Sequence, residues 1–222
     1  MTSPDLGPGP RTRVRRLPAK ARYDEATVIA ILDEARFCHV AALVRGRPLA
    51  LPTLHAREGR VLYLHGSPSN EVLKAVVAAG EAYVTATLYD GLRLARSGFE
   101  SSIAYRSVAV VGAATLVEDL DERRRILDLF VDAVLAGRAS EVRPMTDAEV
   151  RLTMVVRVSI DEASAKVSAG PTEDSPEDTQ LAIWSGVVPA RLVFDDPIPS
   201  DDGAMARGVA VPESVTRLLG GA

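Results

Sequence analysis

Residues 62–76 read LYLHGSPSNEVLKAV. An apolar run ends in His65 and Gly66, the hydroxyls of Ser67 and Ser69 flank a proline, and an apolar-periodic segment opens at once. A strand running out at His65 and a helix starting near Ser69 would set free backbone N–H groups beside hydroxyl side chains, the donor set for an anion such as a phosphate. Ser69 and Asn70 also make an ordinary N-cap, so the spacing alone leaves both readings open. His65 adds an imidazole, which serves as a ring donor or a metal ligand, or is simply a strand-end histidine satisfied by backbone. His39 and His55 lie within strand-like runs at no metal-ligand spacing, and three histidines without an acid at motif spacing make no Ser-His-Asp constellation.

The corner needs a strand and a helix to hold it, and the flanking pattern supplies both. YDEATVIAILDEARF places Val28, Ile31, Leu32 and Ala35 on one helical face, with Asp24 as N-cap. FCHVAALV, RPLALPTLHA and RVLYLHG are short apolar runs separated by RG and REG, which predicts three successive antiparallel strands. The helix over residues 69–79 buries Val72, Leu73, Val76 and Val77 and stops at Gly80. AYVTATLYD and LRLARS, with DG between them, read as a further hairpin, and FESSIAYRS, with no clear period, as a crossing of the barrel end. SVAVVGAATLVED resumes as a strand whose Gly112 marks a bulge or a close backbone approach. A second long helix follows in LDERRRILDLFVDAVLAG, then a strand in TMVVRVSI and a polar loop in AGPTEDSPEDTQ. Many short antiparallel strands with helices at two connections predict a mainly β fold, a small barrel dressed with helices. A P-loop lysine and the three spaced glycines of a dinucleotide fold are both missing.

With 222 residues and 47% hydrophobic content the chain can bury one sizeable core. A formal net charge of −4 argues against a general nucleic-acid binder, although Arg11, Arg13, Arg15 and Arg16 cluster near the start. That cluster lies in a Pro/Gly-rich leader without an apolar h-region, and no apolar run approaches the roughly 20 residues that cross a bilayer, so a cytoplasmic protein with no membrane partner is expected. The single cysteine, Cys38, reads as a small buried hydrophobe. The organisation expected is a disordered arm over residues 1–22, one barrel domain over 23–199, and a surface tail over 200–222 carrying a short helix at ESVTRLL.

Taken in order, LPTLHAREGRVLYLHGSPSN, YRSVAVVGAATLVED, EASAKVSAGP and IWSGVVP resemble the pyridoxamine 5'-phosphate oxidase-like FMN-binding split barrels, in particular the flavin-nucleotide-binding, nitroimidazole-resistance-like branch. The resemblance spans about residues 23–199. It implies a six-stranded antiparallel Greek-key barrel that binds FMN, with a pocket shared across a homodimer.

Carried onto this chain, the resemblance puts the backbone of Leu51, Pro52, Thr53 and Leu54 against the isoalloxazine edge. It puts the phosphate at His65, Gly66, Ser67, Ser69 and Asn70. Proteins of this look keep an arginine where Asn70 stands, so Lys74 and Arg106 become the candidate cations. Tyr105, Arg106 and Ser107 fall near the interface and pocket, with Lys166 and Trp184 folding back on it. His65 gains two further readings, a donor to flavin and an axial haem ligand. The function implied is a flavin-dependent oxidoreductase reducing a small organic acceptor, with the chemistry carried by the cofactor. The alternative is a non-catalytic flavin- or haem-binding sensor on the same fold. IWSGVVPARLVF offers only Arg191 as a cation, so oxidation of pyridoxamine phosphate itself is not expected.

Overall fold

The computed structural model describes residues 6–200 and 208–220. After the short strand β1 (Ala21–Arg22), helix α1 (Glu25–Glu34) starts where the Asp24 carboxylate accepts from the Thr27 N–H, and it buries Val28, Ile31 and Leu32. Strands β2 (Cys38–Val44) and β3 (Arg47–Thr53) form a hairpin through Arg45 and Gly46, both at positive φ as a tight hairpin requires. The run expected as one strand over residues 47–56 is two, because β3 stays on β2 while β4 (His55–Glu58) crosses to pair with β5 (Val61–Gly66). Helix α2 (Glu71–Ala79) follows and ends at Gly80 in the left-handed region.

The largest departure from the sequence reading is β6 (Glu81–Leu94), one long strand where a hairpin at Asp90–Gly91 is expected. The ladder to β7 (Ser102–Leu116) slips one residue between Tyr89 and Gly91, and Gly91 has φ 140°. A Cβ at Gly91 would come within 2.2 Å of the Val188 carbonyl oxygen, so the glycine serves a bulge under a later strand rather than a turn. Likewise FESSIAYRS does not cross a barrel end; residues 102–107 of it are the first half of β7.

Helix α3 (Leu120–Val134) is capped by Asp119, and the one-turn helix α4 (Asp147–Arg151) by a reciprocal Thr146–Glu149 box. Strands β8 (Met154–Ser159), β9 (Glu162–Ser168) and β10 (Gly186–Pro189) complete the sheet, and α5 (Glu213–Gly220) is the short helix expected near the end. Residues 1–5 of the expected arm and 201–207 of the expected tail lie outside the described residues.

All strand pairs are antiparallel, and the ten-stranded sheet runs β3-β2-β6-β7-β8-β5-β4, with β9 and then β1 branching from β7 and β10 from β6. The end strands β3 and β4 do not pair, so the sheet curls without closing: a split barrel, with ten strands where the resemblance implies six. Strand β7 leaves β9 after Val111 and joins β8 at Ala114. Gly112 stands at that changeover, where a Cβ would lie 1.6 Å from the Ser159 carbonyl oxygen, and only a glycine lets the strands approach so closely. The main core packs α1 and α2 against the inner face through Ile31, Leu32, Leu62, Leu73, Val84 and Val156. A second cluster lies under α3, around Tyr63, Ile126, Phe130 and Val155.

The segment expected as a disordered arm is packed from Leu6 onward. Leu6 is 5% exposed and exchanges backbone bonds with Tyr23 and Ala163. The cause is Glu162: this buried carboxylate on β9 accepts from the Arg11 and Thr12 amides at 2.8 and 2.7 Å, from the Thr12 hydroxyl at 3.0 Å and from Arg11 Nε at 3.0 Å. Gly9 lies directly over it, with no room for a Cβ. A Pro/Gly/Arg composition predicts disorder from low apolar content, and here one buried acid in need of donors overrides it.

Candidate functional site

The corner at the start of α2 is closed on itself. Asn70 is the N-cap, its Oδ1 accepting from the Val72 and Leu73 amides at 3.0 and 3.1 Å. The Ser67 and Ser69 hydroxyls bond to each other at 2.8 Å, Ser69 N–H donates to Ser67 Oγ and Asn70 N–H to the Ser67 carbonyl. Gly66 leaves space for this, since a Cβ there would sit 3.0 Å from Leu73. Lys74 is exposed. His65 points to α3 instead, with its ring 4.2 Å from the Phe130 ring centroid and Nδ1 buried without a hydrogen-bond partner. Burial pushes the His65 pKa down, which keeps the imidazole neutral and its lone pair available.

A different set of predicted residues meets on the outer face of the sheet. Cross-strand register joins Pro52 of β3 to His39 of β2, His39 to Thr85 of β6, Thr85 to Ala109 of β7 and Ala109 to Ser164 of β9. Two residues along, Thr87, Ser107 and Lys166 form the parallel row, then Tyr89, Tyr105 and Ser168. The alternate row, Val40–Val84–Val110–Ala163, faces the core, and Leu51 belongs to it by register although β3, as an edge strand, leaves Leu51 and Leu54 exposed. Tyr105 and Ser107 therefore share a face with Pro52, and half-buried Lys166 stands beside Ser107. This face combines small residues, hydroxyls and tyrosines with the free backbone of β3, a surface suited to a flat heteroaromatic ring.

Arg106 does not supply the cation that Asn70 lacks. Its Nε and Nη2 clamp Asp90 at 2.9 and 2.8 Å, and the rest of the fork takes Glu34, with Nη2 to Glu34 Oε1 at 2.8 Å. Two carboxylates, Asp90 and then Glu34, more than neutralise it and raise its pKa above the arginine range.

Beside Arg106 opens a cavity of about 710 Å³. One wall is the end of α1 and the residues after it, with Arg36 and Phe37; another is β6, with Thr87 and Tyr89; the third is the segment after β10, with Arg191 and Phe194. Residues 169–199 are held in place by two arginines of β6 and its end. Arg93, 5% exposed, donates to Ser168 and to the Pro171 carbonyl; Arg96 donates to Asp174 through its amide at 2.6 Å and Nη1 at 2.7 Å, and to Ser185. Trp184 is 65% exposed and covers Gly186, so it does not line this cavity. Arg36, Phe37, Tyr89 and Phe194 form no pattern in the sequence; they meet only because β10 docks antiparallel on β6.

A family model described as pyridoxamine 5'-phosphate oxidase matches residues 24–167. The chain belongs to this family. As an oxidase-family protein it has a solved relative in the flavocytochrome Anf3 from Azotobacter vinelandii, 36% identical, with 96% of this chain and 98% of that one covered at a TM-score of 0.89. The FAD and heme binding protein from Mycobacterium smegmatis is 33% identical, with 90% and 97% covered at a TM-score of 0.84. A 5-nitroimidazole antibiotic resistance protein from Bacteroides thetaiotaomicron, 24% identical with 66% of this chain and 86% of that one covered at a TM-score of 0.57, shares the fold. A search of curated proteins returns no match.

The chain has three histidines, the residue type that could serve as an axial ligand. His55 is excluded, since it is 6% exposed and its Nε2 lies 2.8 Å from the Leu32 carbonyl oxygen. His39, exposed on the outer face with its ring edge-on to Phe37, and half-buried His65 are the two left, the Nδ1 of His65 being enclosed by protein like that of His55. Among the described residues no three potential ligands gather into a metal cluster, and no helix is long and apolar enough to cross a membrane.

Proposed function

We propose that the chain is a flavin- and haem-binding electron-transfer protein that reduces a small organic acceptor, working as a homodimer. One observation carries this reading. Two relatives similar over 90% or more of this chain are a flavocytochrome and a FAD and heme binding protein, and their coverage takes in sequence beyond the 24–167 core that the family model matches. The flavin is FAD in preference to FMN: the relative from Mycobacterium smegmatis is a FAD and heme binding protein, and at the corner expected to hold a terminal phosphate Asn70 caps the helix where a guanidinium would stand. A bound flavin supplies hydride or single-electron transfer.

The chain's own residues bind and orient. The free backbone of β3 lies along one side of the outer face, Thr85, Thr87 and Ser107 offer hydroxyls, and Lys166 offers a cation to a phosphate. His39 or His65 offers the axial nitrogen. A second copy covers the outer face, where Leu43 and Tyr83 are exposed at one end of β6 and Tyr89 further along it, and shares the pocket.

The test is a visible spectrum of the purified protein, with a flavin band near about 450 nm and a Soret band near about 410 nm expected. Chromatography of the heat-released flavin distinguishes FAD from FMN and riboflavin. Protein from haem-replete cells that shows neither band and binds neither group on titration sinks the reading. A single monomeric species at micromolar concentration in light scattering removes the dimer.

A further inference from the structure

Three arginines border the 710 Å³ cavity, and they differ in what they have left to offer. Arg106 is consumed by Asp90 and Glu34, and those two carboxylates are consumed by it. Arg36 and Arg191 have no carboxylate partner among the described residues. Arg36 lies over the Phe194 ring, 5.5 Å from its centroid, a contact that joins the end of α1 to the segment after β10. Arg106 with its two carboxylates carries one net negative charge, which the two unpaired guanidiniums of Arg36 and Arg191 outweigh, and beside them stand the rings of Phe37, Tyr89 and Phe194. Its volume lies within the roughly 300–1,000 Å³ of sites for whole small molecules, far larger than an isolated phosphate needs. Guanidiniums recognise carboxylates through paired parallel hydrogen bonds, and aromatic walls recognise a flat ring by stacking.

We infer that this cavity binds a planar aromatic ligand bearing carboxylates, with Arg36 and Arg191 pairing to the carboxylates and Phe37, Tyr89 and Phe194 enclosing the ring. A porphyrin with its propionates and a free aromatic acid share that chemistry. Identifying the occupant as haem rests on the function proposed above; the cavity assignment stands without it. Residues 169–199 form the third wall, so Arg93 and Arg96 act as positioning residues for the site.

The experiment titrates the purified, cofactor-stripped protein with haemin, with metal-free protoporphyrin and with naphthalene-2,6-dicarboxylate, following the Soret band or ligand fluorescence. It compares wild type with Arg36→Gln/Arg191→Gln and with Phe194→Ala. The double variant is expected to weaken binding of both porphyrins by at least about tenfold, as loss of a charge-assisted pair implies, while flavin binding and the melting temperature stay at wild-type values. Phe194→Ala is expected to weaken them less. Haemin affinity equal in wild type and double variant overturns the assignment and leaves the haem reading intact. Arginine-dependent binding of the naphthalene acid with no porphyrin binding supports the cavity and overturns haem as its occupant. Wild type that binds none of the three overturns both.

Discussion

Two segments flank the part of the chain that the family model matches, the first expected from the sequence as a Pro/Gly-rich arm and the second as a polar loop and the last piece of the barrel domain. The first, residues 6–20, is packed at its start: the Arg11 and Thr12 amides and the Thr12 hydroxyl satisfy Glu162, Arg11 is paired to Glu162 and Glu81, and Leu6 is buried, while Arg13, Arg15 and Arg16 are exposed without a carboxylate partner among the described residues. The second, residues 169–199, is anchored as firmly at its base by Arg93 and Arg96, yet it leaves Trp184, Leu192, Val193 and Phe194 exposed and Arg191 without an acid. A segment whose amides are taken up by a buried acid contributes stability. A segment that is held rigidly and still presents exposed rings beside a cavity has something left to bind, and it is these rings, rather than free cations, that set the second segment apart.

Deleting residues 1–20 is the strongest challenge to that contrast. It strips the donors from Glu162 and re-exposes the patch under Leu6, whose burial alone is worth about 1.5–3 kcal/mol. The melting temperature should fall by about 4–8 °C or more; an unchanged value would return the segment to a dispensable arm. Arg106→Ala comes next. It leaves Asp90 and Glu34 facing each other without their shared cation, at a cost of about 1.5–3 kcal/mol read from a urea midpoint. Loss of ligand binding with no loss of stability would mean that Arg106 belongs to the site after all.

Asn70→Ala serves as the control inside the matched core. Removing the cap should cost about 0.5–2 kcal/mol in flavin-free protein and leave flavin affinity alone. A drop in affinity at constant stability would restore the corner as a phosphate site. The smallest effect is on acid sensitivity. Burial pushes the Glu162 carboxyl up, but the hydrogen bonds from Arg11 and Thr12 outweigh it and hold it below the ordinary glutamate value. Its contribution is therefore complete above about pH 4.5 and is lost as pH falls through the lowered value. Glu162→Gln should flatten stability against pH in that acid window and lower stability at pH 7, where the carboxylate's contribution is complete, whereas a profile of unchanged shape would dissociate Glu162 from the first segment.

Elements with local signatures were legible in the sequence. Asp24, Gly80 and the apolar spacing of α1 and α2 stand where their types demand, and Gly112 marks the close approach expected of it. Misreadings arose where a distant element supplies the reason for a residue. Asp90–Gly91 has the chemistry of a turn, but the glycine is there because Val188 passes over it. The leader has the composition of a loose arm, but Glu162 lies about 150 residues further on. Thr146 and Glu149 did carry a local signal, a capping box, and α4 could have been found from it. At the site, Pro52, Tyr105 and Ser107 emerge on one face as strand alternation allows, whereas the second cavity assembles from α1, β6 and the chain's last third, and no window of sequence contains it.

The pairing of Ala21 and Arg22 with residues 165 and 166 has a consequence during synthesis. Strand β9 leaves the ribosome only after most of the chain, so the first twenty-odd residues are made first and docked among the last. Until then they wait as a free tether, and once β9 emerges its outer edge stays open to other strands until they arrive. Slowing translation between β7 and β9 should prolong that interval, and trapping by a strand-binding chaperone or cross-pairing with a neighbouring nascent chain should be greatest in it.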